Sequence, residues 1–129
     1  RGLGPQIVVG HGETPVEPVA SGTNMAALLA GVDVLAHPGF ITLEEAEIAA
    51  QKGIFLELSG RKGHCLTNGH VARIAQETGA RLAVNADAHG PGDFLTIDMA
   101  EKVACGAGLS LDRYERLRQD MADFVRTLG

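Results

Sequence analysis

The sequence predicts an α/β fold in which consecutive βα units build a parallel sheet. Helix-forming runs alternate with short apolar runs along the chain, which is typical of this fold class. Gly31, Gly53 and Gly79 each separate a helix-like run from a strand-like run, where a helix end favours a left-handed residue. The strand-like runs do not alternate cleanly between apolar and polar residues, which indicates strands covered on both faces.

Four short apolar runs are the predicted strands. They are IVVG, VDVLA, IFLEL and RLAVN, at residues 7–10, 32–36, 54–58 and 81–85. No strand is predicted after Asp87. Because parallel strands joined by helices follow right-handed crossovers, we expect the runs to share one sheet. Four strands cannot close a barrel, which needs about eight in the (β/α)8 case, so the sheet is either open or about half of a barrel.

Capping residues mark the predicted helices. Thr42 and Glu45 form a capping box before the second helix, since hydroxyl and carboxylate can each accept a backbone amide. Thr67 or Asn68 is expected to cap the third helix, Asp93 the fourth and Ser110 the fifth. The predicted helices are the run after Asn24, residues 44–52, the run GHVARIAQET, roughly 95–106 and roughly 111–127.

Composition limits the classes of partner. The chain has 129 residues, 45% hydrophobic and 21% charged, which fits a single globular domain over 1–129. Its apolar runs are far too short to span a membrane. A formal net charge of −5, with four Phe, one Tyr and no Trp, disfavours nucleic acid as a partner. Two cysteines make no disulfide framework and no signal peptide opens the chain, so a cytoplasmic location is expected.

Residue types that bind metals follow the predicted strands. His11, His37, Asp87 and His89 lie at or just beyond strand ends. In parallel α/β folds this carboxyl edge is where ligands bind. Histidines together with an aspartate fit Zn²⁺, Mn²⁺ or Fe²⁺ better than Mg²⁺ or Ca²⁺, which prefer oxygen ligands. The pattern predicts a metal site at this edge, although any one of these histidines taken alone could be an ordinary loop residue.

Further polar residues surround the predicted site. Glu57 lies in an apolar strand, where a carboxylate is costly unless it is paired, so it is either an acceptor for a ligand histidine or a direct ligand. Arg61 and Lys62, in the loop GRKGH, either hold an anionic group of the substrate or are solvated. His64 is an acid/base group, an outer ligand or a surface residue, and His70 is interpreted as structural or exposed.

These motifs resemble those of the PHP (polymerase and histidinol phosphatase) domain family, in its phosphatase branch. The similar segments are HGETPVEPVASGTN, VDVLAHPG, FLELSGRKGH and NADAHGPGDF, which occur in the family's order within about residues 7–94. The resemblance implies a distorted (β/α)7 barrel that hydrolyses phosphate esters with up to three divalent metals at the strand ends. It implies that the metal ligands are His11, His37, Asp87 and His89, with Glu57 beside the metals.

The early motifs of that family have no counterpart in this chain. Its opening HxH motif, its next histidine and its bridging glutamate are absent, and Arg1 is followed by glycines that resemble the end of a preceding helix. Residues 1–129 are therefore expected to be the C-terminal part of a PHP domain that lacks its first strands. Such a part could be inactive alone.

The function expected of the intact protein is metal-dependent phosphomonoester hydrolysis, similar to that of histidinol phosphatase, on a small-molecule phosphate ester. Zinc, manganese or iron would activate a water, Arg61 or Lys62 would bind the phosphoryl group, and His64 would assist the leaving alkoxide. Three alternatives stay open. They are a PHP-type phosphodiesterase or nuclease, another metallohydrolase such as an amidohydrolase, and an inactive fragment that forms homo-oligomers or associates with the missing N-terminal half.

Overall fold

The computed structural model describes residues 7–16, 19–60, 63–85 and 97–128, and it confirms the α/β prediction. The strands are β1 (Val9–His11), β2 (Val34–Ala36), β3 (Phe55–Ser59) and β4 (Leu82–Asn85). The helices are α1 (Thr23–Ala30), α2 (Leu43–Lys52), α3 (Asn68–Thr78), α4 (Ile97–Gly106) and α5 (Leu111–Leu128), and a 3₁₀ turn covers His64–Thr67. No helix among these ranges combines the length and apolar character needed to cross a bilayer.

The strands form one parallel sheet in the order β1-β2-β3-β4, so spatial order follows chain order. One face of the sheet joins the hydrophobic core with the helices, through Leu56 and Leu58 of β3 among others. Because side chains alternate along a strand, Phe55 and Glu57 point to the opposite face. There the Phe124 ring of α5 meets the Phe55 ring edge-on, with centroids 5.4 Å apart. The second face is therefore apolar at its amino-terminal end and polar near the carboxyl ends of the strands.

The predicted helix ends are confirmed at both sides of the sheet. Gly31, Gly53 and Gly79 have φ angles of 78°, 69° and 80°, and each ends a helix that leads into a strand. The capping box before α2 is present, since Thr42 Oγ1 accepts from the Glu45 amide at 3.1 Å and Glu45 Oε1 accepts from the Thr42 amide at 2.9 Å. Ser110 Oγ accepts from the amide of residue 113 at 3.2 Å, as predicted for α5.

The predicted side-chain cap of α3 and the predicted starts of β1 and β2 were wrong. No side-chain cap precedes α3, because the 3₁₀ turn runs directly into the helix and its Cys65 carbonyl already accepts from the Asn68 amide. The first strand begins at Val9 rather than at residue 7, and the second at Val34 rather than at residue 32. Ahead of both strands, the Val8 amide donates to the Asp33 carboxylate at 2.8 Å. The predicted cap Asp93 lies outside the described residues.

Candidate functional site

Three histidines meet at the carboxyl edge of the sheet. His11 ends β1, His37 directly follows β2, and His64 opens the 3₁₀ turn after β3. His11 Nδ1 lies 3.0 Å from His37 Nε2. The His37 and His64 rings stack with centroids 4.4 Å apart and planes inclined by 16°. We call His11, His37 and His64 the imidazole cluster, and it brings together side chains that are 26 and 27 residues apart in the chain.

The loops after β1 and β2 approach so closely that glycine is required in each. A Cβ at Gly39 would lie 1.8 Å from the Glu13 carbonyl oxygen, and the φ of Gly39 is 65°. A Cβ at Gly12 would lie 2.9 Å from Pro38 Cα. His37 itself has a φ of 32°, which non-glycine residues rarely adopt. The tight packing of these two loops is what brings His11 and His37 within contact.

Asn24, in the first turn of α1, joins the same two loops. Its Oδ1 accepts from the Glu13 amide at 2.9 Å and its Nδ2 donates to the Pro38 carbonyl at 2.9 Å. Glu13 also accepts a hydrogen bond from Asn24, through its Oε2 and the Asn24 backbone amide at 2.9 Å. This contact places a carboxylate at the positive N-terminal end of α1. Asn24 is buried and was not predicted to belong to the site. Only its unusual polarity within an apolar helix could have indicated such a role.

Glu57 is only 1% exposed and lies behind the imidazole cluster. Its Oε1 accepts a hydrogen bond from the backbone amide of His37 at 3.0 Å. A buried carboxylate is costly without such partners, so this contact explains part of its place in an apolar strand. The bond also ties the end of β2 to β3 and fixes the backbone from which the His37 ring projects.

His64 is held by a residue that the sequence did not single out. Thr14 Oγ1 lies 2.5 Å from His64 Nδ1, and both side chains are buried. Burial of His64 excludes the surface role that was one of its predicted alternatives. This hydrogen bond at Nδ1 fixes the orientation of the His64 ring. No sequence pattern connects two residues 50 positions apart.

Two neighbouring residues lie outside the cluster. His70 Nε2 contacts the Ile41 carbonyl oxygen at 2.7 Å and its ring meets Phe40 edge-on, which agrees with the structural interpretation of this histidine. Cys65 is exposed, with no disulfide partner among the described residues.

The predicted metal ligands are only partly within the described residues. Asp87 and His89 lie outside them, as do the predicted phosphate-binding residues Arg61 and Lys62. Within the described ranges, no group of three or more His, Cys, Asp or Glu side chains is arranged to hold a metal. The facing nitrogens of His11 and His37 nevertheless fit two adjacent ligands of one cation, which at metal–nitrogen distances of about 2.1 Å lie about 3.0–3.4 Å apart.

Comparison with known proteins shows relatives that are longer than this chain. An uncharacterised protein of Methanocaldococcus jannaschii is 50% identical over 111 residues, which are 85% of this chain and 51% of that protein. Probable phosphatases of Thermoanaerobacter sp. and Thermoanaerobacter pseudethanolicus are each 35% identical over 92 residues, 63% of this chain and 38% of theirs. No family model matches the chain. The chain thus spans about half or less of the length of these relatives, and it is distantly similar to proteins named probable phosphatases.

Proposed function

We propose that this chain forms part of the active site of a metal-dependent phosphoesterase of the PHP type. The observation that supports the proposal is the contact between His11 and His37, whose ring nitrogens are 3.0 Å apart at the carboxyl edge of a parallel sheet. The similarity of the chain to probable phosphatases favours phosphate esters as the substrate class. The proposed reaction is hydrolysis of a small-molecule phosphomonoester.

In this proposal His11 and His37 bind Zn²⁺, Mn²⁺ or Fe²⁺ through ring nitrogens, and Asp87 and His89 complete the ligand set. A metal in such a site lowers the pKa of water and neutralises charge on phosphoryl oxygens. Glu57 positions His37, because its carboxylate fixes the backbone amide of that residue. The matched region is only 51% of the relative from Methanocaldococcus jannaschii, which leaves room for further ligands on the remainder of the protein.

The proton transfer is assigned to His64. Its Nδ1 contacts Thr14, which orients the ring, and the imidazole is proposed to give a proton to the leaving alkoxide. Its ring stacks on His37, which keeps it beside the proposed metal ligands. Arg61 and Lys62 are proposed to bind the phosphoryl group, since a guanidinium matches two phosphate oxygens at once.

The test is phosphatase activity and metal content of the full-length protein that contains this chain. His37→Ala should lower kcat/KM for p-nitrophenyl phosphate by at least about 100-fold, since loss of a mere supporting contact to a metal ligand already costs about 10–100-fold. Bound metal per chain should fall with it. His70→Gln is the matched control at the same edge, because its ring bonds a carbonyl rather than another histidine, and it should retain both properties.

Each alternative function has its own outcome in this experiment. Unchanged turnover of His37→Ala would reject the assignment. Faster cleavage of bis-p-nitrophenyl phosphate or single-stranded DNA than of the monoester would favour a phosphodiesterase. Preferred cleavage of an amide would favour an amidohydrolase. A full-length protein that cleaves none of these substrates, and whose mass by light scattering rises with concentration, would favour an oligomerising binding module.

A further inference from the structure

A cavity with a partly apolar wall lies at the opposite end of the sheet from the imidazole cluster. It has a volume of about 340 Å³ and opens between the end of α3, the start of β4 and the first half of α5. Small-ligand sites typically measure about 300–1,000 Å³, so its size fits a small molecule. Part of its wall is apolar and consists of Leu82, Leu109 and Leu117.

Three arginines also line the cavity. Arg81, Arg113 and Arg116 line the cavity from two different elements, while Asp120 is the acidic residue among the lining side chains. Asp120 lies 3.6 Å from Arg116, so one positive charge is partly neutralised. The lining therefore has an excess of two positive charges beside an apolar surface. A ligand complementary to it has a doubly charged anionic head and an apolar body.

Two of the guanidinium groups are held in place by carbonyl oxygens. Arg81 Nη2 donates to the Gly53 carbonyl at 2.7 Å, and its guanidinium lies 4.4 Å from the centroid of the Phe55 ring. Arg113 donates to the Ala72 carbonyl at 3.5 Å and to the Gln76 side chain at 3.3 Å. A guanidinium has five N–H donors, more than these contacts use. Because the Arg81 and Arg113 side chains are already held in place, they lose less conformational entropy when an anion binds.

The positions of the arginines in α5 also favour an anion. Arg113 lies in the first turn of α5, which begins at Leu111, and Arg116 follows one turn later on the same side of the helix. Cations near a helix N-terminus are unfavourable because they oppose the helix dipole. An anion between them would offset that repulsion, whereas the exposed pair with Asp120 contributes little by itself.

We propose that this cavity is a binding site for a small dianionic organic phosphate, separate from the imidazole cluster. Arg81, Arg113 and Arg116 bind the phosphate head, and the three leucines contact the organic body. Guanidinium groups match phosphate oxygens in bidentate geometry, which adds specificity to the charge attraction. The site does not depend on the proposed hydrolysis, because none of its residues belongs to the metal-binding edge.

The probe is phenylphosphonate, a dianion with an apolar body that cannot be hydrolysed as an ester. Its binding to the full-length protein is measured by calorimetry in the presence of a chelator. Arg113→Met and Arg116→Met should each raise the Kd at least about tenfold, consistent with the loss of one charged hydrogen bond. Arg118→Met is the matched control, since Arg118 is on the same helix but pairs with Glu115. It should leave the Kd unchanged.

Two further ligands and one further variant make the result decisive. Inorganic phosphate and benzoate should bind more weakly than phenylphosphonate, because the first lacks the apolar body and the second has a single charge. His37→Ala should leave phenylphosphonate binding unchanged. The proposal is overturned if no binding is seen at millimolar probe, if Arg118→Met weakens binding as much as Arg116→Met, or if only His37→Ala abolishes it. Arg116 is 82% exposed, so its replacement tests binding without threatening the fold.

Discussion

The two ends of the sheet are built on different principles. At the amino-terminal end the same connection occurs three times. In each case a helix ends at a glycine with positive φ, and a strand follows within a few residues. At the carboxyl end, the connections after β1, β2 and β3 differ from one another in the part of the chain that the structure describes. One has the capping box of Thr42, another has a 3₁₀ turn, and the loops after β1 and β2 interlock through Gly12 and Gly39. The repeated connections at the amino-terminal end build the regular sheet, and the irregular loops at the carboxyl end bring the imidazole cluster together.

The largest difference between the ends is expected from glycine replacements. Gly39→Ala should lower the free energy of unfolding by at least about 3 kcal/mol, because the new methyl would meet a backbone carbonyl that cannot move aside. Gly79→Ala is the matched control, with a φ of 80° but no atom within 4 Å of the added carbon. It should cost only about 1–2 kcal/mol, the ordinary strain of a left-handed residue. Urea denaturation of both variants measures the difference, and equal losses would refute the close packing of the loops.

The sequence predicts the amino-terminal end well because its determinants are local. A glycine that ends a helix acts within four residues, so it is visible in the chain. At the carboxyl end only the capping box of Thr42 and Glu45 is equally local. The rest of that end was predicted only as a set of residue types following strands. Which of them touch depends on contacts such as Thr14 with His64, 50 residues apart, and Asn24 with the loop of Pro38. Those contacts follow from sheet register and loop packing rather than from any local pattern.

A second prediction concerns the polar link between the two loops of the carboxyl end. Asn24→Ala should lower the free energy of unfolding by about 2 kcal/mol, since it leaves the part-buried Glu13 amide and the buried Pro38 carbonyl without their partner. Thr23→Ala, one residue earlier, removes an exposed contact to the Ala20 carbonyl and should cost less than about 0.5 kcal/mol. Thermal unfolding followed by circular dichroism compares them. In the full-length protein, Asn24→Ala should also lower the proposed phosphatase activity, because Asn24 holds the loop that follows His37.

The smallest effect is expected at the amino-terminal end, and it tests whether the two ends are independent. Arg81→Met removes a contact over the Phe55 ring and a hydrogen bond to the carbonyl of Gly53, and it should cost about 1–1.5 kcal/mol of folding free energy. Arg73→Met, on the exposed side of α3, should cost almost nothing. Chemical denaturation gives both values.

The more informative measurement is phosphatase activity of the full-length Arg81→Met variant at a temperature where it remains folded. Phe55 and Glu57 lie on the same face of β3, Phe55 as its first residue and Glu57 two residues closer to the carboxyl edge. If the amino-terminal end contributes only to the stability of the fold, the variant keeps its activity while losing stability. A fall in activity at unchanged folded population would show instead that the packing of Phe55 is transmitted along β3 to Glu57 and His37, so that the two ends act as one unit.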